Sequence, residues 1–161
     1  GLHPSFGSNA DPARLKLELE RLSGVLHLEV RKSRQHFLKL SLPSTYRNLL
    51  DLGITDDYTM GYAAAFGFRA STSLPFYFYD LDQERETTLK VHPFCVMEAT
   101  FKYYLRVPPE EALDHIRPMV QAVRDVNGSL MCVWHNDSLS NHRIWQGWQG
   151  LYEAMVQLSV P

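Results

Sequence analysis

The chain has very little cysteine: Cys95 and Cys132 are its only two in 161 residues. They form no Cys-x-x-Cys pair and lie in apolar surroundings, which excludes a disulfide framework. Both read as buried thiols, fitting a reducing compartment without excluding others. No apolar run approaches the roughly 20 residues that a membrane-spanning helix needs, so membrane insertion is not expected. Concentrated positive charge is missing as well. The basic residues are scattered, with no run beyond Arg31-Lys32-Ser33-Arg34, and the formal net charge is −2. That gives no electrostatic case for nucleic acid or an anionic membrane. Also missing are a phosphate-binding glycine loop, a nucleophile elbow, a zinc finger, an RNA-binding aromatic motif, an internal repeat and a low-complexity tract.

What remains is ordinary globular composition, 45% hydrophobic and 21% charged, in a length suited to one core. We therefore expect a single domain over residues 1–161. The opening Gly1-Leu2-His3-Pro4 lacks Met and is apolar at residue 2, so we expect a fragment, or a chain whose first portion was removed. Localisation stays open between cytoplasm and cell envelope.

The chain alternates helical and strand signals. Asp11 reads as an N-cap with Pro12 at the first helical position, and Leu15, Leu19, Leu22 and Leu26 recur at helical spacing, ending near Ser23-Gly24 or about His27. Arg31–Leu40 suggests a short strand leading into a loop. A second helix runs from Pro43 to about Leu52, with Ser41 or Ser44 as cap and Gly53 as terminator. Short strands are expected near Ile54–Asp56, Gly67–Arg69, Phe76–Tyr79 and Thr88–Pro93, with Leu81–Thr87 a solvated connection. Val96–Leu105 reads as a short helix. The clearest helix spans Pro108 to about Val126, with Pro118 expected to kink it. A strand from Leu130, a polar loop at Asn136–Arg143 and a final helix from Ile144 or Trp145 to Leu158 complete the reading. This pattern predicts an α/β domain, layered or barrel-like. Its five or six strands are too few for a closed eight-stranded barrel, so an open or incomplete one is expected.

The stretch Leu130–Asp137, Leu-Met-Cys-Val-Trp-His-Asn-Asp, is the most informative. Its apolar run places His135 at or just past the carboxyl end of a buried strand, where α/β proteins keep functional side chains. A strand that merely ends in polar residues is the alternative. His3 and His36 also sit where strands meet loops; His27, His92, His115 and His142 read as helix-surface or loop residues. Any of the three could be satisfied by a backbone carbonyl, or could ligate metal. Asp56-Asp57 could orient a histidine or could make a turn. Arg69, among apolar and small residues, needs a partner there, either a structural carboxylate or a substrate anion. Trp145, Trp148 and Tyr152 read as core packing rather than a sugar-stacking platform.

Several of these stretches together resemble a bacterial polysaccharide deacetylase (NodB homology) domain: Gly-Leu-His-Pro-Ser-Phe-Gly-Ser-Asn at 1–9, Arg-Gln-His-Phe-Leu at 34–38, Gly-Ile-Thr-Asp-Asp-Tyr-Thr-Met-Gly-Tyr at 53–62, Gly-Phe-Arg-Ala at 67–70 and Val-Trp-His-Asn at 133–136. The resemblance covers essentially the whole chain, in the expected order. It implies a distorted, incomplete (β/α) barrel, TIM-like in type. It further implies a hydrolase that removes N- or O-acetyl groups from a polysaccharide or oligosaccharide with one divalent metal, commonly zinc. His3 would be the first metal-binding histidine. The usual second one falls at Gly7, so that Ser5, Ser8 or Asn9 acting through water, or His36, would have to compensate. Arg34 matches the arginine that pairs with the catalytic base, Asp57 an acidic position near the fourth motif, and His135 the general acid of the fifth. Trp134 would lie beside the acetyl pocket, and Phe37 and Arg69 are the other candidate substrate contacts. The family's early aspartate pair, one base and one metal ligand, has no counterpart ahead of His3. A catalytically inactive glycan-binding module, or a half-barrel completed by another segment, are the rival expectations.

Overall fold

A computed structural model describes residues 1–140 and 142–160; Asn141, inside the expected polar loop, and Pro161 lie outside the described residues. The fold is mixed α/β and divides into two compact units, one of residues 1–60 and 75–93, the other of residues 61–74 and 94–161. Neither unit's sheet closes into a barrel. No described helix is long and apolar enough to cross a membrane.

In the first unit, helix α1 (Pro12–Leu26) begins as its sequence predicts. The Asp11 carboxylate accepts the Arg14 amide at 3.0 Å, and Pro12 occupies the first turn, where it has no amide to leave unpaired. Leu15 and Leu19 are buried, whereas Leu26 ends the stripe in solvent. The strand expected over Arg31–Leu40 is only two residues long, β1 (Lys32–Ser33), because the chain turns at His36–Leu38 with Phe37 and Leu38 both at φ 53. Helix α2 (Ser44–Asp51) starts one residue later than expected and stops before Gly53 at φ 75. Strands β2 (Asp56–Asp57), β3 (Phe76–Asp80) and β4 (Arg85–Val91) complete a sheet of order β1-β2-β4-β3, parallel except for the β3–β4 hairpin. The connection expected over Leu81–Thr87 is a four-residue turn at 81–84 that passes into strand at Arg85. Asp80 accepts the amides of Asp82 and Gln83, which tightens the turn and lets β4 start at Arg85. Arg47 of α2 then binds Asp80 bidentately, at 2.6 and 2.7 Å, tying the helix to the hairpin end.

The second unit holds the parallel pair β5 (Val96–Met97) and β6 (Cys132–Val133), helix α3 (Pro109–Asp125), which continues through Pro118, and helix α4 (Trp148–Ser159). The helix expected over Val96–Leu105 is β5 followed by a π-helical turn at Thr100–Leu105. No strand forms at Gly67–Arg69: Gly67 sits at φ 108, and its amide bonds the Cys95 carbonyl while Arg69 lies in a turn. The last helix starts later than expected because Gly147, at φ 88, breaks the backbone before Trp148. Ile116 and Val120 of α3, Phe101, Trp145, Trp148, Leu151 and Met155 form this unit's core, as the tryptophan spacing predicts. Gly61 is required by a close neighbour: a Cβ there would meet the buried Phe94 ring at 2.2 Å. Cys95 and Cys132 are free thiols, and burial pushes Cys95 up to about 12, far from a reactive thiolate.

Candidate functional site

His135 lies two residues past β6, at the carboxyl end where the sequence places it. Its partner is Glu98, one residue past β5. The register Val96↔Cys132 and Met97↔Val133 brings the two strand ends level, so an acid from one reaches an imidazole from the other. One oxygen of Glu98 accepts both the His135 amide, at 3.0 Å, and the ring Nδ1–H, at 2.6 Å. Glu98 is completely buried while the His135 side chain is 49% exposed. The carboxylate thus fixes one tautomer, and Nε2 carries the exchangeable proton or lone pair. Ser138 closes the arrangement from below, its hydroxyl and amide both donating to the His135 carbonyl. The second Glu98 oxygen and the Trp134 indole N–H are buried without a hydrogen-bond partner among the described residues. Trp134 is half-buried, tilted against Tyr152 at 5.2 Å.

Glu98 went unread in the sequence because it stands in an apolar run assigned to a helix. The available signal was a lone carboxylate between Phe94 and Phe101, which requires a partner. Arg69 is the converse. It is exposed in a turn, so its charge is met by water and the expected need for a partner does not arise.

In the first unit, His3 Nδ1 bonds the Arg34 carbonyl at 2.7 Å, and its ring stacks on His36 at 4.9 Å. His3 and Arg34 line an open cleft of about 270 Å³ with Lys32 and Tyr58; no carboxylate lines it. The Arg34 guanidinium has no acidic partner among the described residues. Phe37 projects into solvent, 68% exposed.

Asp56 and Asp57 point to opposite faces of β2, as successive strand residues do, and meet different environments. Asp56 accepts from Thr55 and from His92 Nε2, the latter at 2.7 Å. Its burial favours the neutral form, but those two hydrogen bonds, with the charge of Lys32, hold it below the usual carboxylate range. One member of the pair therefore does orient a histidine. That histidine is His92, expected to be a helix-surface or loop residue and found directly after the last residue of β4. Tyr58 stacks on the His92 ring at 4.4 Å. Asp57, by contrast, is fully buried and does not line the cleft. It accepts the Thr59 amide and hydroxyl, and Thr59 in turn accepts the amide of Gln35.

Burial pushes Asp57 up to about 6 against the opposing hydrogen bonds from Thr59 and Tyr46. The folded protein thus holds a proton there that the unfolded chain releases near pH 4, and Asp57's contribution to stability is complete below about pH 4 and lost as pH rises through 6. The loss is roughly 3 kcal/mol. Urea unfolding at pH 4.5 and 7 should show about two-thirds of this fall in the parent and a flatter dependence in Asp57→Asn; identical slopes would refute it.

The residues present do not fit a catalytic zinc, which takes three protein ligands. Among the described residues no group of three His, Cys, Asp or Glu could hold a metal ion. His3 and His36 offer imidazoles alone. Ser5 and Ser8 are hydrogen-bonded to each other, and Ser5 to Glu18; the Asn9 amide is spent on Gln35, Lys39 and Thr45. No family model, curated protein or solved structure matches this chain. The deacetylase resemblance therefore rests on the chain's own motifs.

Proposed function

We propose that the chain is a polysaccharide-deacetylase-like segment, part of a distorted and incomplete (β/α) barrel, that serves in removing N- or O-acetyl groups from a bacterial glycan. The single observation that supports this most is the His135–Glu98 pair, a solvent-facing imidazole on a buried carboxylate at the shared carboxyl ends of two parallel strands. In amide hydrolysis, water adds to the acyl carbon and the carbon–nitrogen bond breaks. A base takes the proton that the water loses, and His135, carrying a proton on both nitrogens, gives the Nε2 proton to the departing amine and keeps Nδ1–H on Glu98. In the same reading Trp134, beside His135, faces the acyl group.

The divalent metal that the resemblance implies, commonly zinc, needs carboxylate ligands beyond those the described residues supply. The purified 161-residue chain should accordingly release little or no acetate from acetylated chitooligosaccharide or peptidoglycan, with or without added zinc. Zinc-dependent release at the rate of a complete domain would refute that assignment. The ligand shortfall also favours a second reading, a glycan-binding module without catalysis. Sugar affinity that survives both chelation and His135→Ala, in a protein that never releases acetate, would select it.

A further inference from the structure

We propose that the exposed aromatic ridge of the first unit, Phe37 and Phe6 with His36 and His3 behind them, is a stacking subsite for an acidic glycan chain. This rests on the glycan reading above and names the class of sugar. The rings run in series: His3 on His36 at 4.9 Å, His36 on Phe37 at 4.7 Å, and Phe37 edge-on to Phe6 at 5.8 Å. Phe6 and Phe37 leave 54% and 68% of their surface in solvent, and Lys39 Nζ sits 4.6 Å from the Phe6 ring centre.

The display of Phe37 is imposed by its surroundings. Phe37 and Leu38 both adopt φ 53, a left-handed backbone costly for side chains of their size. The turn is held from within, since Leu38 and Gln35 are buried and the Gln35 amide is bound by Thr59. Strain held by a buried frame, whose result is an outward phenyl ring, marks a surface shaped for a ligand.

The ridge also indicates which ligand. His3 belongs both to the ridge and to the 270 Å³ cleft, whose other lining includes Lys32, Arg34 and Tyr58 and no carboxylate. The Tyr58 wall is fixed by its stack on His92, itself held by Asp56. A ligand lying along the ridge meets aromatic faces first and cations next. A pyranose chain bearing carboxylates matches that order, with its C–H faces on the rings and its anionic groups toward the cations. Ligand sites run from about 300 Å³ upward, so the cleft takes one sugar unit and the rest of the chain lies on the ridge.

Calorimetric titration of the purified chain tests this with three probes: a hyaluronan tetrasaccharide, neutral chitotetraose and a short oligothymidylate. The hyaluronan probe should bind best and weaken with salt. Phe37→Gly, which suits the left-handed backbone, should weaken it about tenfold, Phe37→Trp should restore it, and Tyr104→Ala, an exposed aromatic of the second unit, should leave it unchanged. Equal binding of chitotetraose, tighter binding of the oligonucleotide, or full affinity in Phe37→Gly would overturn the proposal. Full affinity in Phe37→Gly would leave the deacetylase reading intact. Nitrogen-15 spectra in which the Nδ1 proton of His135 is not held by Glu98, with hyaluronan binding intact, would do the reverse.

Discussion

Under the proposed function, His135→Ala is expected to lower acetate release on the order of 10²- to 10⁴-fold in any protein containing this chain that releases acetate from a glycan, since the leaving amine then has no positioned proton. The ring is half-exposed, so its loss should leave the fold standing. Glu98→Gln removes the charge behind the ring and keeps its shape. Its effect should be about 10- to 100-fold, the range seen when a partner orienting a site histidine is altered. A purely structural Glu98 would not change the ring chemistry. Nitrogen-15 spectra of the 161-residue chain should therefore show a proton held on Nδ1 of His135 in the parent and shared between the two ring nitrogens in Glu98→Gln. An unaltered Nδ1 proton in the variant would show that the carboxylate does not set the proton's position. Deacetylation by His135→Ala at the parent rate would remove the general acid altogether.

Trp148→Ala should be the most damaging change to stability. Trp148 is 1% exposed and packs edge-on against Trp145 at 5.7 Å, in the cluster that α4 shares with Ile116 and Val120 of α3. Truncating a buried aromatic side chain costs about 3–5 kcal/mol, a large fraction of the roughly 5–15 kcal/mol that holds a domain. Denaturant unfolding followed by circular dichroism should show the midpoint collapse. A shift no larger than that of an exposed control such as Tyr104→Ala would mean that this core is not where the second unit's stability lies.

The parts of the fold that were legible in the sequence are those governed by neighbouring residues. Asp11-Pro12 starts α1 and Gly53 follows the end of α2 through local backbone chemistry, and the mixed α/β class follows from the alternation. The two-residue strands were not legible in their true extent, because pairing partners rather than β-propensity define them. Leu81–Thr87 read as a solvated link since its charges are plain, while the Asp80 turn that makes it a hairpin depends on side-chain geometry. The same division runs through the site. His135 could be found because an apolar run delivers it to a strand end. Glu98 lies 37 residues away and His92 stands 36 residues from Asp56, so each histidine's partner is created by folding.

The sheet of the first unit joins elements of very different reach. The β3–β4 hairpin closes over a four-residue turn and can zip within roughly 1–10 μs, whereas β1–β2 and β2–β4 must each gather strands from distant stretches to gain two paired residues. The parallel pairings should therefore be among the last to form and the first to open. The amides of Tyr58 and His92, which donate to Ser33 and Asp57 across those pairings, should exchange with solvent ahead of the hairpin's own. On that account the Asp56–His92 contact is a late arrival in the molecule's history, assembled only after the scaffold beside it has set.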